Sequence, residues 1–198
     1  VSLSRSSLIH YKSSPPELCH ACQLGKHTRL PFASSMHRAE KPFDLVHLDL
    51  WTSPIVSVSG YKYYLVILDD CTHYLWTFPL KLKSDTFTTL SHFFAYVSTQ
   101  FGCTVKAIQC DNMREFDNSS TRTFLLTKGA LLRMSCPYTT PQNGKAERII
   151  RSINNVIRTL LFQANLPGRY WAEGLHTATY LLNRLPTKTI QPACPHMA

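Results

Sequence analysis

The fold is decided by a short apolar stretch, FDLVHLDLW, at residues 43–51. Pro42 and Pro54 bound this stretch, and its length and composition predict a buried strand. Two runs rich in aromatic and β-branched residues follow at 61–68 and 74–80, and the polar residues between them suit a hairpin turn. We therefore predict a sheet that begins with three strands close together along the chain.

The rest of the chain alternates between helical and strand patterns. Ser84 is predicted to cap a helix over residues 85–100, which ends before Gly102. Five more elements are predicted, namely strands at 105–110 and 131–135 and helices at 120–128, 144–165 and 170–184. This order predicts an α/β fold, with a mixed sheet and helices packed on its faces.

Composition limits the class of protein. The 198 residues suit about one domain, and the net charge of +9 favours a polyanionic partner such as nucleic acid. The sequence contains no run of 18 apolar residues, so it predicts no membrane-spanning helix. Seven cysteines, mostly in apolar surroundings, favour reduced thiols in an intracellular protein over a disulfide framework. The chain starts at Val1 rather than Met, which we interpret as an internal piece of a longer protein.

Three segments are predicted along the chain. Residues 1–41 are rich in Ser, Pro, His and basic residues and are interpreted as an N-terminal arm. Residues 42–186 form the folded core, and residues 187–198 are interpreted as a truncated C-terminal extension. Within the arm, Cys19 and Cys22 have the spacing of half a tetrahedral zinc site, the alternative being a pair of free thiols.

Three acidic residues predict a metal site. Asp49 lies inside the most apolar strand, where an uncompensated carboxylate is costly, and Asp111 ends the strand at 105–110. Glu147 lies in the first turns of the long helix, so two strands and one helix supply an all-oxygen site for Mg²⁺ or Mn²⁺. Two such ions serve phosphoryl transfer. The alternatives are a turn at Asp111, a Glu147 that only pairs with Arg151, and a lone buried acid at Asp49.

Basic residues gather around the same helix. A phosphate backbone passing the metal site would meet these cations first, although an ordinary solvated helix face has the same composition. The predicted DNA-contacting residues are Lys145, Arg148, Arg151 and Arg158, with Asn143 in the loop that precedes the helix.

The spacing of the acidic residues resembles that of a known family. Between Asp111 and Glu147 there are 35 residues, as in the Asp, Asp, 35, Glu core of retroviral and retrotransposon integrases. The stretches that agree are HLDLW at 47–51, YLVILDD at 64–70, CDN at 110–112, REF at 114–116, TPQNG at 140–144 and AER at 146–148. From about residue 18 onward the chain resembles the Ty1/copia-type integrase of a plant-like LTR retrotransposon Pol polyprotein.

The resemblance implies a fold and an activity. It implies a ribonuclease-H-like fold with a five-stranded mixed sheet and helices on both faces. It also implies a transferase that uses Mg²⁺ or Mn²⁺ to join element DNA 3′ ends to target DNA. Asp49, Asp111 and Glu147 would be the catalytic residues and metal ligands, and Cys19 and Cys22 would belong to a zinc module. The implied partners are DNA and further copies of the chain, with no membrane; the implied location is the nucleus, after a cytoplasmic particle stage.

The chain departs from the family pattern after Asp111. Met113 stands where the family has Gly, and a side chain at positive φ would cost roughly 1–2 kcal/mol and tilt Asp111. The paired histidines of the family's zinc module are absent. Two alternatives to an active integrase are therefore an inactive nucleic-acid-binding remnant and a ribonuclease-H-like nuclease. Asp69 and Asp70 also match family positions and are interpreted as strand-end structure.

Overall fold

The computed structural model describes residues 39–111, 115–134, 143–186 and 194–197. The strands in these ranges are β1 Val46–Thr52, β2 Tyr63–Asp69, β3 Leu75–Leu80, β4 Ala107–Cys110 and β5 Leu131–Met134. The α-helices are α1 Asp85–Phe101, α2 Ser119–Thr127, α3 Gly144–Gln163 and α4 Trp171–Arg184. Short 3₁₀ turns occur at Gly168–Tyr170 and Pro195–Met197.

The five strands form one mixed sheet in the order β3-β2-β1-β4-β5. The first three strands pair antiparallel, as expected for strands joined by short connections, whereas β4 and β5 join parallel through helical crossovers. The predicted mixed five-stranded sheet is confirmed. Strand β1 lies at its centre, between β2 and β4.

Two apolar cores cover the two faces of the sheet. Because side chains alternate along a strand, Val46, Leu48 and Leu50 of β1 all pack on the α1 side. The opposite face packs on α3 and α4, and Trp51 of β1 belongs to that side. Helices therefore lie on both faces, as predicted, and the alternation places Asp49 on the face covered by α3 and α4.

The helix ends differ in detail from the predictions. Helix α1 begins after Ser84 as expected, but the Ser84 side chain makes no capping hydrogen bond. Instead the Asp85 carboxylate accepts a 2.9 Å hydrogen bond from the Leu82 backbone N–H. Gly102 ends the helix at φ 61°, a left-handed conformation that glycine adopts without strain. Helix α2 begins one residue earlier than predicted, after Asn118. The side-chain oxygen of Asn118 accepts a hydrogen bond from the Thr121 N–H in the first turn of this helix.

Helix α4 is fixed to the edge of the sheet by a side-chain amide. Asn183 is 3% exposed; it accepts a 2.8 Å hydrogen bond from the N–H of Leu75 and donates one of 2.8 Å to the Leu75 carbonyl. The amide thus satisfies both backbone groups of one residue of the edge strand β3.

In the ranges that the structure describes, no helix has the length and apolar character required to cross a bilayer.

Candidate active site

Asp49 and Asp111 lie on neighbouring parallel strands. Val46 pairs with Ile108 and His47 with Gln109, and the same offset relates Asp49 to Asp111, which directly follows β4. Carboxyl ends of parallel strands meet at one edge of a sheet, which is where α/β folds commonly gather functional groups. The topology therefore brings the two predicted aspartates to one edge.

The electrostatics of Asp49 link it to both other predicted acids. The pKa of Asp49 is raised to about 6. Burial is the largest cause, the negative charges of Asp111 and Glu147 also raise the pKa, and a hydrogen bond from the Leu50 N–H lowers it. Like charges raise the pKa of a carboxyl group because they disfavour its ionised form. Asp49 is half-buried, so the cluster lies at the surface of the sheet edge rather than deep in the core.

Glu147 is exposed in the first turn of α3, where its carboxylate accepts a 3.2 Å hydrogen bond from the Arg151 guanidinium. The pairing that the sequence offered as an alternative to metal binding is therefore present. In the described parts of the chain, no three His, Cys, Asp or Glu side chains stand close enough together to hold a metal ion. The three acids share an electrostatic environment without closing into a coordination shell.

The donor set fits a hard divalent cation in its chemistry. Such ions prefer oxygen ligands, and Asp49 and Asp111 supply carboxylates at one sheet edge. Burial, with the charges of Asp111 and Glu147, raises the pKa of Asp49, and a bound cation would favour the ionised carboxylate. Glu147 pairs with Arg151 through Oε1, and its Oε2 would be the oxygen for the same role.

The predicted DNA-contacting cations lie on two faces of α3. At 100° per residue, Glu147, Arg151 and Arg158 share one side of the helix, and all three are exposed. Lys145 and Arg148 lie on another side, where they line a cavity of about 350 Å³ against α4. Arg151 and Arg158 therefore form a short exposed stripe with Glu147.

Two residues of the predicted DNA-contacting set are engaged inside the protein. Asn143 is 5% exposed and donates a 3.0 Å hydrogen bond to the carbonyl of Leu48, the residue before Asp49. Lys145 forms an ion pair with the buried carboxylate of Asp70. Both side chains hold α3 to the sheet, because their polar atoms bind groups of the protein. The exposed cations of the predicted set are Arg148, Arg151 and Arg158, of which Arg151 pairs with Glu147.

A cation near Asp111 was missed by sequence reasoning. Lys83, in the connection before α1, forms a 2.5 Å ion pair with Glu115. The hydrogen bond to Glu115 raises the pKa of Lys83, and the charge of Asp111 adds to the increase, which places this lysine close to the site. No local pattern marks Lys83, because its position depends on how the connection before α1 packs against the segment after β4.

Several predictions fall on residues outside the described ranges. They concern the zinc half-site of Cys19 and Cys22, Met113 in the turn after Asp111, the motif residues 140–142, residues 1–38 of the predicted arm, and residues 187–193 and 198 of the predicted C-terminal extension.

A family model described as "Integrase core domain" matches residues 39–140, and the chain belongs to this family. It is 36% identical over 177 residues to the retrovirus-related Pol polyprotein from transposon RE2 of Arabidopsis thaliana. It is 34% identical over 187 residues to the corresponding polyprotein from transposon TNT 1-94 of Nicotiana tabacum.

These matches cover 89% and 93% of this chain but only 12% and 14% of the two polyproteins, so the chain spans a small part of the curated relatives. Among solved structures, a simian T-cell lymphotropic virus intasome in complex with PP2A regulatory subunit B56 gamma matches with a TM-score of 0.70 and 16% identity. This match covers 90% of this chain and 62% of that one.

The HTLV-2 integrase catalytic core domain in complex with magnesium, in a trimeric form, matches with a TM-score of 0.60 and 19% identity. This match covers 81% of this chain and 98% of that one. At these identities the two structural matches establish the ribonuclease-H-like fold and no more.

Proposed function

We propose that this chain is the catalytic core of a Ty1/copia-type LTR retrotransposon integrase, a metal-dependent transferase that joins element DNA 3′ ends to target DNA. The observation that carries the proposal is the matching position of Asp49 and Asp111 on neighbouring parallel strands, in a member of the integrase core family. The charges of Asp111 and Glu147 both contribute to the raised pKa of Asp49, after burial. The similarity to plant transposon Pol polyproteins and to a magnesium-bound viral integrase core supports it.

Different residues of this chain would bind the metal ions and the DNA. Asp49 and Asp111, with Glu147 as a third ligand, would hold Mg²⁺ or Mn²⁺. Such ions activate an attacking oxygen and stabilise a leaving one during phosphoryl transfer. The exposed arginines of α3 would bind the phosphate backbone and fix its position over the carboxylates, because guanidinium groups recognise phosphate through paired hydrogen bonds.

The proposal extends to the rest of the protein. Cys19 and Cys22 would contribute to a structural zinc module together with ligands outside this pair. Joining two DNA ends requires at least two active sites, so the working form is a homo-oligomer on DNA. The intasome and trimer among the structural matches are consistent with such an assembly. The reaction would take place in the nucleus, after a cytoplasmic particle stage.

A strand-transfer assay tests the proposal. The folded chain is incubated with Mn²⁺, a labelled duplex that mimics an element end, and a supercoiled plasmid as target. We expect covalently joined product from the unaltered chain or from its Met113→Gly variant, which restores the family's glycine. The Asp111→Asn variant in each background is the matched negative control and should give none.

The other outcomes assign other functions. DNA binding without joining in both backgrounds would identify an inactive remnant, a reading that the pairing of Glu147 with Arg151 favours. Cleavage of an RNA:DNA hybrid without joining would identify a ribonuclease-H-like nuclease. Either result would overturn the integrase assignment.

A further inference from the structure

A buried carboxylate gathers donors from three parts of the chain. Asp70, which directly follows β2, is 1% exposed. Its oxygens accept a 2.7 Å hydrogen bond from His47 Nε2 and a 2.9 Å hydrogen bond from the backbone N–H of Ala39, and they pair with Lys145 Nζ. The donors belong to β1, to the segment before β1 and to the first turn of α3.

Two of these donors lie next to the proposed catalytic residues. His47 precedes Asp49 by two positions on β1, so the two side chains share one face of the sheet. Lys145 precedes Glu147 by two positions within the first turn of α3. One carboxylate therefore binds two of the three elements that present the acids of the site, β1 and α3.

The interaction is stronger than an exposed ion pair. Burial alone would raise the pKa of Asp70, but the hydrogen bonds from His47, Lys145 and the Ala39 N–H hold it well below its usual range. Asp70 is thus ionised at neutral pH, and hydrogen bonds to a buried anion are about twice as strong as those between neutral groups. Lys145 is 38% exposed at its side chain, so its ammonium closes the cluster from the solvent side.

The preceding residue provides a natural contrast. Asp69 is fully buried, and it accepts hydrogen bonds of 2.8 Å from the N–H of Phe43 and from both the N–H and the hydroxyl of Thr72. These partners lie in the connections at the end of the hairpin and before β1. Two adjacent aspartates are therefore equally buried, but only Asp70 contacts α3.

We propose that Asp70 is a positioning residue of the candidate active site, which fixes the first turn of α3 against β1 so that Glu147 stays beside Asp49. This inference rests on the proposed function. It also gives Lys145 a role different from the predicted one, because its ammonium acts through Asp70 rather than on a DNA phosphate.

Matched variants test the proposal in the strand-transfer assay. Asp70→Asn keeps the size of the side chain but removes the charge that holds Lys145. We expect kcat to fall by about tenfold or more, as for other residues that orient metal ligands, with the KM for DNA changed by less than about threefold. Asp69→Asn should lower the urea midpoint comparably and leave kcat within about threefold. Equal losses of kcat in the two variants would overturn the proposal.

Lys145 provides a second variant that does not depend on the folding of Asp70→Asn. Lys145→Met should reproduce the loss of kcat, and Lys145→Arg should restore most of it, since a guanidinium can still pair with Asp70. An increase in the KM for DNA with kcat unchanged would show that Lys145 contacts DNA, and would overturn its assignment to the Asp70 cluster.

Hydrogen exchange separates this inference from the proposed function. The amides of residues 148–151 bond to the carbonyls of the first turn of α3 and report its stability without any catalysis. We expect these amides to exchange about tenfold faster in Lys145→Met than in the unaltered protein, with no change in Asp69→Asn. This result would stand even if no variant joined DNA. Unchanged protection in Lys145→Met would overturn the positioning role.

Discussion

Asp49 and Asp111 occupy matching positions on neighbouring parallel strands, and the charge of Asp111 adds to the burial that raises the pKa of Asp49. The pKa is about 6 in the folded chain against a reference of 3.8. Folding therefore favours the protonated form. The stability that Asp49 contributes is fully present below about pH 3.8 and is lost as the pH rises through about 6.

The first prediction concerns this pH dependence. Asp49→Asn should be more stable than the unaltered chain by about 1–3 kcal/mol near pH 8, because the amide removes a charge that is disfavoured by burial and by repulsion from Asp111. Near pH 4 the difference should fall towards zero, since Asp49 is then mostly neutral in the folded chain. Urea unfolding at the two pH values measures this, with the exposed Asp117→Asn as the control. A difference that does not change with pH would contradict the assigned cause.

The second prediction concerns divalent cations. If Asp49 and Asp111 hold Mn²⁺, the ion binds the folded state only. At ten times its Kd it should add about 1.4 kcal/mol of stability, or roughly 3–6 °C in Tm. Differential scanning fluorimetry near pH 8 should show this increase for the unaltered chain and lose it for Asp111→Asn. An equal increase in both would mean that the ion binds elsewhere.

The third prediction separates chemistry from DNA affinity. Asp111→Asn should abolish joining, while its Kd for duplex DNA should stay within about twofold, because phosphate contacts depend on arginine and lysine. Fluorescence anisotropy with a labelled duplex gives the Kd, and the strand-transfer assay gives the joining rate. A parallel fall in affinity and joining would contradict this division of roles.

The fourth prediction concerns the exposed stripe of α3. Arg158→Gln should weaken DNA binding about equally for all sequences, and should lower the slope of log K against log salt by about one. Arg122→Gln on α2 is the matched control, because it also removes an exposed, partly paired arginine. Equal effects of the two substitutions would indicate binding through net charge alone.

The fifth prediction concerns the fold. Asn183→Ala should destabilise the protein by about 2–3 kcal/mol, because the N–H and the carbonyl of Leu75 would both lose a buried partner. Urea unfolding measures the loss, and the exposed Asn155→Ala on α3 is the control. A loss below about 0.5 kcal/mol would show that water replaces the amide.

The strands and helices were predictable because apolar runs and helical stripes are local signals. Helix α3 begins at the predicted residue, and its buried stripe of Ile150, Ile153 and Ile157 is the one that the sequence indicates. The observed boundaries differ from the predicted ones where the end of an element depends on packing. Strand β4 starts at Ala107, two residues later than predicted, because pairing with β1 and β5 rather than composition defines it.

The site was predictable only in part. Asp49 stands out because an acid in an apolar strand requires compensation, and this signal needs no structure. The sequence did not indicate that Asn143 and Lys145 contact groups within the protein, since residues at the start of a helix can face either the sheet or solvent. The same limit applies to Asp70, whose partners lie far away along the chain.

The crossover between β1 and β4 has a consequence for the order of folding. Strands β1, β2 and β3 are joined by short connections, whereas β4 reaches β1 only after the chain has passed through α1. Pairings between distant segments form late, because loop closure costs entropy before contacts repay it. Asp49 and Asp111 therefore meet late in folding, so their repulsion acts on the rate of unfolding rather than on the rate of refolding.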